Sequence, residues 1–160
     1  MNQIILDKLN ARFPGGVEGK EEFRGDLTIL VRKQNIVSIC QFLRDDPELG
    51  FDLVVDICGV DMYRPEGRFE VVYNLYSLKN KEYVRLKIAA DEDDPVVDSV
   101  VSVWSGANWL EREAYDMFGI TFRGHPDLRR MYMPEDYEHY PLRKDFPLMG
   151  IPDSIPLPRK

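Results

Sequence analysis

FDLVVDICGV, residues 51–60, and RFEVVYNLYSLKNKEYVRLKI, residues 68–88, decide the fold. In the first stretch Phe51, Leu53, Val55 and Ile57 fall on one face of a strand, and Asp52 and Asp56 on the other. In the second, residues 68–78 read as a strand whose outer face is also filled, by Val72 and Tyr76. Residues 83–88 then alternate cleanly: Val84, Leu86 and Ile88 point in, Tyr83, Arg85 and Lys87 point out. The connections at 61–67 and 79–81 are short enough for hairpins, so the pairing is predicted to be mostly antiparallel.

Upstream, Leu27–Val31 reads as one more strand between two helices. The first helix spans Met1–Phe13, with Ile4, Ile5, Leu9 and Phe13 on one side, and Pro14-Gly15-Gly16 ends it. The second spans Asn35–Arg44, where Ile36, Ile39, Cys40 and Leu43 recur at helical spacing. Downstream, Asp94-Pro95 has the form of a helix start, and Val96/Val97, Val100 and Val103/Trp104 follow as a helical stripe. A last helix, Trp109–Phe118, is predicted with Asn108 as its cap, Leu110, Ala114 and Met117 as its inner stripe, and Gly119 as its stop. The fold class is α+β: a small mixed, mostly antiparallel sheet packed with helices over residues 1–119.

Residues 120–160 follow neither period. Seven of the 11 prolines lie there, each removing a backbone donor and disfavouring helix before it. The segment is still rich in aromatic and aliphatic side chains, which disordered chains lack. It is predicted to be an extended Pro-rich tail that needs a surface to lie on. From about Gly124 it is expected to leave the domain, dock on partner proteins and be protease-sensitive in isolation. Residues 1–119 carry 14 Lys/Arg and 22 Asp/Glu, and the tail carries 7 and 6, so the tail's clustered charges meet a partner without strong net repulsion.

A formal net charge of −7 disfavours nucleic acid and anionic lipid as direct partners. Tyr73, Tyr76 and Tyr83 lie on strands, yet no glycine–aromatic signature of an RNA-binding sheet accompanies them. No apolar run approaches the roughly 18–20 residues of a membrane span, and no signal segment opens the chain, so action in the compartment of synthesis is expected. Cys40 and Cys58 are not spaced for zinc or an iron–sulfur cluster and read as core thiols. No phosphate-cradle glycine pattern and no nucleophile arrangement is present.

The densest polar constellation is Glu111, Arg112, Glu113, Asp116, His125, Asp127, Arg129 and Arg130. Glu113 and Asp116 share a helix face, and with His125 they could serve acid–base chemistry. The stronger reading is structural: Arg112 with Asp116 as an i,i+4 pair, the remaining acids paired with Arg129, Arg130 or Arg143, and His125 as a hydrogen-bonding strut in a turn.

WLEREAYDMFGITFRGHPDLRR, residues 109–130, and PEDYEHYPLRKDFP, residues 134–147, closely resemble the signature of the complex I 30 kDa subunit family, also called the C-type subunit. LRDDPELGFDL, residues 43–53, is similar to the family's less distinctive N-terminal domain. His139 stands where the family usually has glycine. The resemblance implies a structural and assembly subunit of the proton-translocating NADH–quinone oxidoreductase. Its place would be in the peripheral arm beside the quinone module, on the cytoplasmic face of a bacterial inner membrane. Membrane-bound nickel–iron hydrogenases and deazaflavin-linked dehydrogenases contain similar subunits and are the alternative. The implied partners are the 49 kDa (D-type) and the iron–sulfur (B-type) subunits, which with other subunits hold the flavin, the clusters and the quinone. No cofactor, metal or catalytic residue is implied in this chain. Carried onto this sequence, the implied interface and structural residues are Glu111, Glu113, Tyr115, Asp116, His125, Asp127, Arg129, Arg130, Tyr140, Arg143 and Asp145.

Overall fold

A computed structural model describes residues 1–151. Helix α1 (Asn2–Arg12) leads into the hairpin β1 (Val17–Phe23) and β2 (Asp26–Val31). Helix α2 (Ile36–Asp45) precedes the meander β3 (Leu53–Asp61), β4 (Phe69–Ser77) and β5 (Glu82–Ala90). A short strand β6 (Val96–Asp98), helix α3 (Ala107–Phe118) and strand β7 (Thr121–Arg123) complete the regular structure. The main sheet runs β1-β2-β5-β4-β3, antiparallel except where β2 lies parallel to β5. The predicted α+β class holds.

The core forms on one face of this sheet. Ile5 and Leu9 from α1 and Ile36, Ile39, Cys40 and Leu43 from α2 bury against Leu27, Ile29, Val71, Tyr73, Leu75, Leu86 and Ile88. Gly59 on β3 lets the end of α3 approach, since a Cβ there would stand 2.6 Å from a Phe118 ring carbon.

Four expectations need correction. The hairpin strand β1 is absent from the sequence reading, because VEGKEEF has no apolar alternation and lies largely exposed; it forms by pairing to β2 around an Arg24-Gly25 turn in which both residues have positive φ. In β3 the register shifts between Val54 and Asp56, so Val54 and Ile57 are buried while Leu53 and Val55 are exposed. Cys58, on the face opposite Ile57, is only half-buried. The helix expected from Pro95 is instead strand β6, paired in parallel with β7, followed by a turn over residues 100–104; β-branched valines suit a strand as well as a helical stripe. Helix α3 starts at Ala107 after Gly106, without a side-chain cap from Asn108.

The expectation that the chain departs from the domain after Gly124 is also corrected. Residues 124–147 carry no regular structure, but they return across the end of α3 and the edge of β3. Residues 152–160, the last part of the expected tail, lie outside the described residues.

Candidate functional site

The end of a helix leaves its last four carbonyls without partners. In α3 these are Tyr115, Asp116, Met117 and Phe118, and all four are satisfied. Gly119 N–H closes on Tyr115 O at 2.8 Å, with Gly119 in the left-handed conformation at φ 75°. The other three donors come from the returning strap: Arg130 Nη1 to Asp116 O at 3.1 Å, Leu142 N to Met117 O at 3.1 Å, and Arg143 Nε to Phe118 O at 2.6 Å. A Cβ on Gly119 would stand 2.6 Å from Arg143 Nη2 and 2.7 Å from the Tyr140 ring, so the strap requires the glycine as well as the turn does.

Asp116 anchors the crossing. Its side chain has no solvent exposure. One oxygen takes Arg130 Nη1 at 2.7 Å, and the other takes the backbone N–H groups of Met131, Tyr132 and Met133 at 2.9, 2.6 and 3.1 Å. Burial pushes this carboxyl up, but the Tyr132 N–H, the Arg130 guanidinium and the other two N–H groups outweigh it and hold it below the usual carboxylate range. A second anchor is Asp61 at the end of β3. It pairs with Arg68 at 3.1 and 2.9 Å and accepts Lys144 N at 2.8 Å and Tyr63 N at 2.8 Å. Burial opposes ionisation here too, yet Arg68 and the two N–H groups bring Asp61 down to about 2. Arg68 also reaches Asp145 of the strap at 3.0 Å.

Between the two anchors, guanidinium groups and rings alternate. Arg130 lies over Tyr137 and Tyr140, at 5.7 and 5.0 Å from their centroids. Arg143 lies over Tyr140 and Phe69, at 4.5 and 4.9 Å. Arg68 lies over Phe69 and Tyr63, at 5.1 and 5.3 Å. A stack of this kind adds cation–π attraction to the ion pairs and buries Tyr137 to 7% exposure in a segment with no helix or strand.

The remaining residues named from the sequence take separate places. Glu111 is fully buried and meets no arginine among the described residues; it accepts Ser99 Oγ at 2.6 Å and Val100 N at 2.7 Å, pinning the turn that follows β6. Its burial raises it to about 7 against the pull of those two bonds. Glu113 accepts the Tyr132 hydroxyl at 3.2 Å. Tyr115 is partly buried against the core. His125 bonds the Asn108 carbonyl through Nε2 at 3.1 Å and accepts Asp127 N at Nδ1 at 3.0 Å, which fits the neutral ring with its proton on Nε2. Asp127 and Arg129 form an exposed pair with each other at 2.8 Å. Arg112 does not pair with Asp116; it lies over Trp109 at 4.8 Å and donates to the carbonyls of Arg129 and Arg130 at 3.0 and 3.3 Å. His139 has no positive φ, and its ring meets Tyr137 edge-on at 5.4 Å.

Glu113, Asp116 and His125 therefore do not converge as an acid–base group: one is sealed and the other two are engaged separately. Among the described residues no group of three or more His, Cys, Asp or Glu is placed to hold a metal ion. The residues missed by sequence reasoning are Asp61, Arg68, Tyr63 and Phe69. A signal was present, since an acid and an arginine bracket the loop of one hairpin, but nothing in the sequence places that loop beside residue 144.

Fold and site together define a class: a small α+β domain whose buried charges hold its own strap in place and leave outward side chains for contact. The family of the respiratory-chain NADH dehydrogenase, 30 Kd subunit, matches residues 29–152, and the chain belongs to it. Among named relatives, the C-type NADH-quinone oxidoreductase subunit of Roseiflexus sp. (strain RS-1) is 52% identical over 92% of this chain and 84% of its own length. That of Geotalea uraniireducens (strain Rf4) is 48% identical over 97% and 93%. A trypsin-resistant fragment (1-134) of Nqo5 superposes with a TM-score of 0.65 at 34% identity, covering 79% of this chain and 98% of the fragment. A chain of an archaeal respiratory membrane complex, the membrane-bound sulfane sulfur reductase, superposes with a TM-score of 0.73 at 25% identity, covering 92% and 86%.

Proposed function

We propose that this chain is the C-type scaffold subunit of a proton-translocating NADH–quinone oxidoreductase, complex I. It sits in the peripheral arm beside the quinone module, on the cytoplasmic face of the inner membrane. Its neighbours are the 49 kDa (D-type) and the iron–sulfur (B-type) subunits. It contributes no catalytic residue and holds no cofactor; flavin, clusters and quinone belong to its partners. The observation that carries this reading is the direction of the strap's side chains. Arg130 and Tyr137 are turned inward and buried, whereas Tyr132, Leu142, Leu148 and Met149 are exposed at 60%, 54%, 101% and 94%. Such side chains, held on an ordered segment beyond the domain's own core, are what a permanent protein interface covers. The identity of 52% to a C-type NADH-quinone oxidoreductase subunit, against 25% to a chain of the sulfane sulfur reductase, favours this complex over the related ones.

A tagged chain purified from solubilised membranes and read by mass spectrometry tests the assignment. The 49 kDa and iron–sulfur subunits are expected with it; recovery of the chain alone, or with a hydrogenase-type set, overturns the reading. Arg130→Ala is expected to lower the amount of assembled oxidoreductase while turnover per assembled complex stays near normal, because a structural role acts through abundance. Full assembly with lost turnover would indicate a direct part in quinone chemistry instead.

A further inference from the structure

The strap is fastened to the domain at two places, and the two are unequal. Over residues 129–133 the fastening is the Asp116 carboxylate. It has no exposure, and its four donors all come from the strap: Arg130 Nη1 and the N–H groups of Met131, Tyr132 and Met133. The Arg130 side chain is itself only 7% exposed. Arg112 adds its bonds to the carbonyls of Arg129 and Arg130. Lifting this part removes every hydrogen bond of the carboxylate at once, its ion pair included.

Beyond Tyr140 the fastening is of another kind. Leu142 N and Arg143 Nε donate to the carbonyls of Met117 and Phe118, Lys144 N donates to Asp61, and Asp145 pairs with Arg68. Without Lys144 N, Asp61 keeps Tyr63 N and both contacts to Arg68. Without Asp145, Arg68 keeps Asp61 and Glu92. The two carbonyls pass to water, which serves the last carbonyls of a helix. Lifting this part therefore strips no buried charge of its partner. It gives up little burial as well: Asp145 is 46% exposed and none of residues 141–150 is buried, whereas Tyr137 in the first part is.

The joint between the two parts is weakly tied. Arg130 Nη2 on His139 O, at 3.2 Å, is the last bond of the first part. Pro141 has no N–H with which to fasten the next step. One turn bond crosses the joint, from Arg143 N to Tyr140 O at 3.2 Å. A cleft lies between His139 and Tyr140 on one side and Arg143, Phe146 and Pro147 on the other. The Tyr140 ring meets both guanidinium groups, Arg130 at 5.0 Å and Arg143 at 4.5 Å, so it can stay with the first when the second leaves.

We infer that the strap is a two-part clasp: residues 129–139 stay closed on α3, and residues 141–151 form an arm that opens about Tyr140-Pro141 while the first part holds. Leu142, Leu148 and Met149 ride on the arm. Its opening uncovers the Phe69 ring, Asp61 and the end of α3. The arm belongs to the chain by itself, whatever complex the chain joins.

Native-state hydrogen exchange of the full chain, read at single amides by NMR, tests the clasp. The N–H groups of Leu142 and Lys144 are expected to show protection at least about tenfold lower than those of Met131, Tyr132 and Met133. Asp145→Asn is expected to speed exchange at Leu142 and Lys144 by a small factor, as loss of a half-exposed ion pair does, and to leave the three Asp116-bound amides unchanged. Unchanged exchange at Leu86 and Ile88, in the sheet, shows that this variant is folded; should it not fold, the comparison within the unaltered chain decides alone. Equal protection of the two groups in the unaltered chain, or higher protection in the arm, overturns the two-part clasp. So does an Asp145→Asn chain that speeds both groups alike with the sheet intact, since the strap then opens as one piece.

Discussion

The sheet with its two N-terminal helices and the strap over α3 are both ordered, but by different forces. The first region is joined by apolar contact: Leu9, Ile36, Ile39, Leu75 and Leu86 have no exposed surface and few polar neighbours to satisfy. The strap is joined by two buried carboxylates, three arginines and the free carbonyls of a helix end. Apolar packing tolerates loss in proportion to volume. A charge network fails differently, since removing one member leaves the others buried without partners. The two regions should therefore separate under mutation, pH and protease.

The largest effect is expected at Asp116. Asp116→Ala removes the carboxylate that Arg130 pairs with and leaves three N–H groups without their acceptor, and should cost about 3–5 kcal/mol. Trypsin should then cut after Arg143 or Lys144 much faster than in the unaltered chain. Ile39→Ala should cost about 2–5 kcal/mol by denaturant unfolding without raising that cleavage rate selectively. Equal cleavage rates in the two variants would show that strap and core open as one unit.

The next effect sharpens the contrast through pH. Glu111 is raised to about 7 from 4.5, so between those values the folded chain keeps a proton that the unfolded chain has lost. Stability should fall as pH rises from about 4.5 to 7, by at most about 3 kcal/mol, and Glu111→Gln should flatten that slope. Asp61 and Asp116 are shifted the other way. Their contribution is present above about pH 4 and is lost as pH falls through the folded value, about 2 for Asp61, so acid should release the strap. Denaturation midpoints from acid to mildly alkaline pH read both limbs; a rise through neutrality would contradict the role given to Glu111.

The smallest effect belongs to Arg129. Its pair with Asp127 is exposed on both sides, so Arg129→Ala should leave the thermal midpoint unchanged within error. A clear loss would mean that the exposed pair is coupled to the buried anchor next to it.

What can be read from the sequence follows the same division. The meander and α2 are legible because each buries one face of one period, as Val84, Leu86 and Ile88 do in β5. The hairpin strand β1 is not, because it is held by its ladder and its turn while its side chains stay in water. Val96–Asp98 reads as helix because β-branched residues at that spacing fit both periods, and its partner, Thr121–Arg123, is distant in sequence. In the site, the Arg130–Asp116 pairing is within reach of charge reasoning, as buried charges need partners. The Asp61–Arg68 anchor is not, because periodicity says nothing about which loop a tail crosses. The composition of residues 124–147 correctly demands a covering surface, but the caps that the end of α3 needs make that surface its own domain.

One seam in the sheet governs how the chain comes off the ribosome. The β3–β4–β5 meander pairs neighbour with neighbour and can close as it emerges. Leu27–Leu30 of β2, however, have their second partner in Val84–Lys87, across the whole intervening meander. Until β5 has been synthesised, the apolar side of β2 and the face of α2 have no complete surface to cover them. A nascent chain halted between those points is thus the species most exposed to chaperones and to wrong partners, and the single parallel pairing of the main sheet is the step that ends the exposure.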